Sequence, residues 1–247
     1  MAGIRKPKPI EVFEDNIAGA ERLIALTHAL RNGRSRRMRR ELREAVGPVV
    51  GLAKRNWDEL DCVESDDLFI VLKPAGRFAR PDFTEVELRP LLRQAVVAIA
   101  AAVESYVAEK ACSYIGGALD DPPQRLRELS TSLGDIMDIE ERYKRRRWGY
   151  RDLAEAYVIK EASASPVKIG IVFATVGKRN FWRDVDKRRG VAEGASEAEL
   201  EELCKRRNRI AHTGDRVGRK RATLGTDEVE NHYANAKSIV EAMEAVL

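Results

Sequence analysis

The sequence predicts an all-α protein, with a helical bundle in the C-terminal two-thirds and an additional helical region at the N-terminus. The composition is one basis: among 247 residues, 44% are hydrophobic, 34% charged and only 6% aromatic, and Gly and Pro are modest in number. Such a composition is typical of a helical globular protein rather than a disordered one. Apolar residues also recur at spacings of three and four along most of the chain, which is the period of an amphipathic helix.

The first 80 residues are predicted to be mainly helical. Apolar positions at helical spacing favour a helix over 10–31, which Asn32-Gly33 ends, and "RSRRMRRELREAV" follows as a very basic helix that closes at Gly47-Pro48. The apolar run "LFIVL" at 68–72 is compatible with a short strand, a buried helical turn or a helix end. A Pro- and Gly-bearing stretch at 73–82 is interpreted as a linker. The predicted domains are therefore 1–80, of unknown role, and 83–247.

The second domain begins with the strongest amphipathic pattern of the chain, a long helix over 83–118. One or two further helices are predicted over 122–162, and the β-branched segment "SPVKIGIVFATVG" is assigned as a helix because no second strand is evident nearby. A helix over 197–213 is predicted from a Ser196–Glu199 capping box and from Gly214, which suits the residue after a helix. A final amphipathic helix covers 227–246.

Several classes of protein are disfavoured by the sequence. The segment "MAGIRKPKPIEVFED" lacks the apolar core of a signal peptide, and no run approaches the roughly 18 apolar residues of a membrane span. The three cysteines are far apart, which fits a reducing compartment, and Cys112 and Cys204 are expected to act as small buried hydrophobes. We therefore expect a cytoplasmic protein without a membrane partner. The net charge of +4 says little about partners by itself.

The segment "KRRNRIAHTGD", residues 205–215, contains the pattern with the most chemical content. Arg-Asn pairs also occur at 31–32, 55–56 and 179–180, but only Asn208 is followed four residues later by a histidine, His212. On a helix these two side chains share one face. Imidazole can take or give a proton near neutral pH, and the guanidinium fork of Arg207 suits the charge of a phosphoryl transition state. The alternative is a helix C-terminus whose basic residues complement the macrodipole, and spacing alone favours it.

The segment "RNRIAHTGD" in its helical context resembles the HEPN superfamily (higher eukaryotes and prokaryotes nucleotide-binding). The resemblance covers roughly 83–247, and Arg207, Asn208 and His212 match the family's Arg, Asn and His motif. It implies a HEPN-like helical bundle that forms a homodimer with a composite active site. It further implies a metal-independent endoribonuclease that leaves 2′,3′-cyclic phosphate ends, often a toxin or an antiviral-defence effector. The acidic residue that family members often place on the long first helix corresponds to Glu104.

Basic residues are clustered at 205–221, 143–151 and 31–40, and a groove for RNA is one use of such segregated charge. A solvated basic helix face is the simpler interpretation of each cluster taken singly. The candidate catalytic residues are Arg207, Asn208, His212 and Glu104, and the candidate RNA-binding residues are Lys205, Arg206, Arg209 and Arg216. No metal or cofactor is expected. His28 is predicted to be structural and His232 to lie on a helix surface.

Two other functions remain compatible with the sequence. One is a non-catalytic HEPN module that binds a partner protein or a nucleotide. The other is a helical DNA-binding protein that uses the basic helix predicted over 31–44. Because uncontrolled RNA cleavage is harmful to a cell, a regulatory or antitoxin protein partner is also expected for a ribonuclease of this kind.

Overall fold

The computed structural model describes residues 5–247, with the backbone alone for Glu85. Within that range the protein is mainly helical, with two small antiparallel sheets, which confirms the predicted fold class. The helices are α1 (Pro9–Arg31), α2 (Arg40–Val49), α3 (Glu85–Ala118), α4 (Gln124–Arg127), α5 (Leu133–Arg142), α6 (Arg146–Glu161), α7 (Pro166–Thr175), α8 (Trp182–Arg189), α9 (Ala195–Thr213) and α10 (Thr226–Val246). The strands are β1 (Arg34–Arg37), β2 (Asp61–Glu64), β3 (Phe69–Leu72), β4 (Arg216–Val217) and β5 (Lys220–Arg221).

The chain divides into two compact units. The larger one contains the chain up to Gly19, Val96–Ala222 and Asn231–Leu247, and the smaller one contains Ala20–Ala95 and Thr223–Glu230. The long helices α1, α3 and α10 contribute residues to both units. The division of the chain near residue 80 into two domains stays a prediction.

The smaller unit contains a three-stranded antiparallel sheet in the order β1-β2-β3. The apolar run at 68–72, for which the sequence left three alternatives, forms strand β3 and pairs with β2. The basic helix predicted from Arg34 was wrong over its first six residues, because Arg34–Arg37 form strand β1 and α2 begins only at Arg40. The pairing of β1 with β2 sets Arg36 opposite Cys62 and Arg37 opposite Asp61. Met38, Leu60 and Cys62 form the small core beside this sheet.

Helix α3 supplies much of the core of the larger unit. Its inward positions, including Ile99, Val103 and Val107, are fully buried. The buried ring of Tyr106 meets Phe13 edge-on at 6.2 Å between centroids, and its hydroxyl donates to Glu244 at 3.0 Å. Val86–Ala118 is, among the described residues, the helix long and apolar enough to cross a membrane, but 56% of its apolar window is buried inside the protein. That burial is typical of the core helix of a globular fold.

The remaining helices of the larger unit largely follow the sequence patterns. The segment predicted to hold one or two helices forms three, α4, α5 and α6, and the β-branched segment after it is helix α7, as predicted. In α7 the side chains of Ile169, Val172 and Phe173 are fully buried. Cys204 is buried and Cys112 is only partly buried, and burial raises the pKa of each thiol to about 11. Thiols with such raised values are poor nucleophiles near neutral pH.

The N-terminus of α9 is held differently from the prediction. The helix begins after Gly194 rather than after Ser196, so the expected capping box is wrong. Instead the Asp186 carboxylate, on α8, accepts from the backbone N–H groups of Gly194 at 2.7 Å and of Ser196 at 3.0 Å. Ser196 and Glu199 both accept from the Arg189 guanidinium. A local capping box is thus replaced by groups from the neighbouring helix, which ties α9 to α8.

The contacts of Asp186 predict a pH-dependent contribution to stability. Burial acts to raise the pKa of Asp186, but hydrogen bonds from Ser196 and Gly194 and the charge of Arg189 outweigh it and hold the pKa below its usual range. The contribution is therefore complete above the unfolded value of about 3.9 and is lost as the pH falls through the folded pKa. We expect Asp186→Asn to lower the free energy of unfolding by about 1–3 kcal/mol near neutral pH.

Urea denaturation of both proteins across a pH series measures this effect. The difference between wild type and Asp186→Asn should shrink as the pH falls below about 4. Asp184→Asn is the control, since Asp184 is exposed on the same helix, and its effect should stay within about 0.5 kcal/mol. An equal difference at every pH would show that the Asp186 carboxylate is not what stabilises this junction.

Candidate functional site

The candidate site lies on the last turns of α9. The helix ends at Gly214, whose φ of 60° places it in the left-handed conformation that was predicted for this position. Arg207 is half-buried, whereas Asn208 and His212 are exposed. As residues i and i+4 of one helix, Asn208 and His212 have Cβ atoms about 6 Å apart. Their side chains therefore face solvent side by side.

A carboxylate from another helix holds Arg207 in place. Nη2 of Arg207 forms an ion pair with Oε1 of Glu104 on α3, and Nη1 donates to Oδ1 of Asn208 at 3.0 Å. Both partners of the ion pair are about one-quarter exposed, at 26% for Arg207 and 28% for Glu104. The structure thus brings together Glu104, Arg207 and Asn208, three of the four candidate catalytic residues, although Glu104 lies far away in sequence.

His212 lies one helical turn after Asn208, with its imidazole open to solvent. Within residues 5–247 the side chain of His212 makes no hydrogen bond or ion pair. An exposed, unengaged imidazole on the same helix end as a positioned guanidinium can exchange a proton with a ligand while the guanidinium binds an anionic oxygen. One chain supplies a single such imidazole at this place.

Asp215, just beyond the helix, was not among the candidate residues but organises the end of α9. Its side chain is 0% exposed and pairs with Arg206 and Arg209, each at 3.2 Å. Its φ of 63° continues the left-handed turn begun at Gly214, and its N–H donates to the Arg209 carbonyl at 3.0 Å. The only sequence signal for this role was an acid within a basic run.

The candidate RNA-binding residues differ in their exposure and in their ion pairs. Arg206 is buried with its guanidinium engaged by Asp215, so it offers no surface to a polyanion and is not part of the site that we propose. Arg209 is partly exposed but shares the same carboxylate. Lys205 is exposed and forms a weak i,i+4 pair with Glu201 at 3.5 Å. Arg216 is exposed on β4.

A comparison with known protein families decides the classification. The RiboL-PSP-HEPN family model matches residues 73–247. The chain belongs to the RiboL-PSP-HEPN family. The match covers more than two-thirds of the protein and confirms the resemblance to the HEPN superfamily. No curated protein and no solved structure shows a significant match. Membership supports a nuclease or RNA-related function at the level of the family.

About half of the cations in the other two basic clusters of this HEPN protein have carboxylate partners. In the cluster at 31–40, Arg36 pairs with Glu64, and Arg37 with Asp61 at 3.6 Å. In the cluster at 143–151 the ion pairs are Arg146–Glu140, Arg147–Asp120 and Arg151–Glu155. A continuous helix over 31–44 does not form, because α1 ends at Arg31, β1 occupies Arg34–Arg37 and α2 begins at Arg40. The geometry therefore gives no support to the DNA-binding alternative.

Of the two remaining histidines of the HEPN protein, His28 is paired with a carboxylate and His232 is buried. His28 is half-exposed, and its Nε2 lies 2.6 Å from Oε1 of Glu230. His232 was predicted to lie on a helix surface, but this was wrong, since it is only 9% exposed. The side of α10 that carries His232 also carries the buried Val229 and Ala236, at i−3 and i+4, so the face is an inner one. Among the described residues, no group of three or more His, Cys, Asp or Glu is placed to hold a metal ion.

Proposed function

We propose that this HEPN protein is a metal-independent endoribonuclease that cleaves RNA to 2′,3′-cyclic phosphate ends. The observation that carries the proposal is the arrangement at the end of α9: an exposed His212, one turn from Asn208 and beside an Arg207 that Glu104 orients. Membership in the RiboL-PSP-HEPN family supports it, since nuclease function is found at that level.

The reaction is an intramolecular transesterification, in which the ribose 2′-oxygen attacks the adjacent phosphodiester of the RNA. An imidazole takes the proton from the ribose 2′-hydroxyl, and the 2′-oxygen forms a bond to phosphorus while the bond from phosphorus to the 5′-oxygen breaks. A second imidazole, in its protonated form, donates a proton to the leaving 5′-oxygen. The products are a 2′,3′-cyclic phosphate and a 5′-hydroxyl, and no water is consumed. His212 performs one of these two proton transfers in each copy of the chain.

A homodimer supplies both imidazoles. One His212 is the general base and the His212 of a second copy is the general acid, so a composite groove between copies completes the site. Arg207 stabilises the charge that develops on the phosphorus oxygens, since its planar fork matches two of them. Glu104 and Asn208 are positioning residues that hold the guanidinium in one direction. RNA must draw Arg207 partly away from Glu104 or bind its remaining N–H donors.

The biological role that this chemistry suits is that of a toxin or an antiviral-defence effector. Indiscriminate RNA cleavage stops cell growth, and such an enzyme needs a protein partner or a trigger to restrain it. The alternative within the same family is a non-catalytic module that binds a partner protein or a nucleotide. The exposed His212 and the oriented Arg207 favour the enzyme, because together they offer a proton-transfer group and an anion-binding group on one helix end.

The test is incubation of purified protein with labelled single-stranded RNA and with tRNA in the presence of EDTA. We expect cleavage, with 2′,3′-cyclic phosphate ends that resist phosphatase until they are opened by acid. Products with open 3′-phosphate or 3′-hydroxyl ends from the first time point, or cleavage that EDTA abolishes, would contradict the proposed chemistry. Binding of RNA with no cleavage under any condition tested would favour the non-catalytic module.

A further inference from the structure

The basic residues of the hairpin that follows the candidate site differ from those on α9 in their ion pairing. It consists of β4 and β5, joined by Gly218 and Arg219, and it has four basic residues, Arg216, Arg219, Lys220 and Arg221. All four are exposed, and within residues 5–247 none of them forms an ion pair. The four basic residues of α9 in the same run each have a carboxylate partner: Lys205, Arg206, Arg207 and Arg209.

The strand register places like charges against each other. Arg216 is directly opposite Arg221 in the antiparallel pair, so both side chains lie on the same face of the hairpin. Like charges directly opposite are destabilising in a sheet, and no carboxylate of the described chain compensates them here. A bound polyanion would relieve this repulsion.

The hairpin has a defined position next to His212. The N–H of Ala222 donates to the carbonyl of Asp215 at 2.7 Å, which closes the base of the hairpin, and the buried Asp215 carboxylate anchors that base to α9. Gly218 has a φ of 62°, as the first loop residue of a tight two-residue turn requires. Arg216 lies only four residues after His212, so their Cα atoms are at most about 14 Å apart.

We infer that the hairpin Arg216–Arg221 is the RNA-backbone clamp of the site, with Arg219, Lys220 and Arg221 as binding residues beside Arg216. This inference rests on the proposed ribonuclease function and names how its substrate is held. The cations bind phosphates without regard to base, since arginine and lysine contacts to phosphate carry no sequence information directly. They hold the strand beside His212, and Arg207 is left for the phosphate that reacts.

The test uses the non-cleaving His212→Ala protein, so that binding is measured without loss of the RNA. A fluorescein-labelled single-stranded RNA is titrated with this protein across a salt series, and fluorescence anisotropy gives the dissociation constant. Changing all four hairpin cations to Gln should weaken RNA binding at least about tenfold at moderate salt. The slope of log association constant against log salt concentration should become less steep, by up to about three. Two double variants, Arg216→Gln with Arg221→Gln and Arg219→Gln with Lys220→Gln, divide this effect and guard against misfolding of the quadruple variant.

A matched control removes the same charge elsewhere. Arg39, Lys54, Arg55 and Arg77 are exposed residues of the smaller unit, and their joint change to Gln should leave the slope nearly unchanged. The melting temperature of the hairpin variants should not fall, because a clamp for RNA adds nothing to the stability of the unbound protein.

The outcomes separate the two proposals. The clamp is contradicted if the hairpin variants bind RNA with an unaltered salt dependence. It is also contradicted if the control variant loses as much RNA affinity as the hairpin variants. Neither result contradicts the ribonuclease. A His212→Ala protein that binds no RNA at all, in parallel with a wild type that cleaves none, overturns the ribonuclease and the clamp with it. Loss of binding confined to the hairpin variants supports the clamp, and it supports the ribonuclease as well only where the wild type cleaves the same RNA.

Discussion

His212→Ala is expected to abolish RNA cleavage while RNA binding is retained. The substitution removes the only imidazole that each copy contributes to the proposed site, and a positioned acid or base is typically worth about 10²–10⁴-fold in rate. Because both proton transfers depend on the same residue in the two copies, the combined loss should reach or exceed the upper end of that range. The imidazole is exposed and makes no hydrogen bond or ion pair within the described chain, so the melting temperature should stay within a few degrees of wild type.

His28→Ala is the control for this experiment. His28 is a half-exposed histidine of the smaller unit, paired with Glu230, and loss of an exposed pair of this kind costs at most about 1 kcal/mol. Cleavage by this variant should equal that of wild type. Equal cleavage by wild type and His212→Ala would show that the activity comes from another site or from a contaminant, and the assignment of His212 would be wrong.

Mixing the two proteins tests the composite site. If the active species is a homodimer that needs two copies of His212, wild type mixed with an equal amount of His212→Ala and re-equilibrated should fall to about half the activity of the same wild type alone, because random pairing places half of it in heterodimers. Activity that simply equals that of the added wild type would mean that each copy cleaves by itself.

Arg207→Gln is expected to lower kcat by about 10²–10³-fold, the usual cost of removing one donor that stabilises transition-state charge. The expected effect on KM is small, since Arg207 is assigned to the phosphate that reacts and not to the other phosphates of the bound RNA. Arg207→Lys keeps the charge but loses the planar fork and its hydrogen bond to Asn208, and should lie between wild type and Arg207→Gln. Kinetics under saturating RNA separate kcat from KM for both variants.

Glu104→Gln distinguishes a positioning role from a merely structural one. If Glu104 acts only by orienting Arg207, its substitution should lower kcat in the wild-type background and do nothing further in Arg207→Gln, so that the two effects are not additive. Arg188→Gln is the control, since Arg188 is exposed on α8. A melting temperature that drops with Glu104→Gln while kcat stays constant would make the ion pair a structural link between α3 and α9 and nothing more.

The periodic elements of this protein were predictable and the sheets were not. Helices α1, α3, α9 and α10 carry apolar residues at spacings of three and four over many turns, and their observed bounds lie within a few residues of the prediction. The strands of the smaller unit are only four residues long, too short for a period to show, and β1 is composed of arginine and serine. Its conformation depends on pairing with β2, and the sequence of β1 itself contains no signal of that pairing.

The candidate site shows the same division. Asn208 and His212 were placed on one face by helix geometry alone, because residues four apart on a helix are always neighbours. The charge cluster around them was visible in the sequence, but its members looked alike. Which cations are engaged follows from carboxylates that are remote in sequence or hidden in a turn, namely Glu104 for Arg207 and Asp215 for Arg206 and Arg209.

The sequence by itself thus determined the helical fold class, the long core helix and the positions of Arg207, Asn208 and His212, since each depends on periodicity or spacing within one element. Only the tertiary structure decided that Glu104 pairs with Arg207, that Asp186 rather than a capping box begins α9, and that the four hairpin cations have no carboxylate partner among the described residues. Ion pairing joins side chains through space, and its outcome depends on which helices and turns the fold brings together.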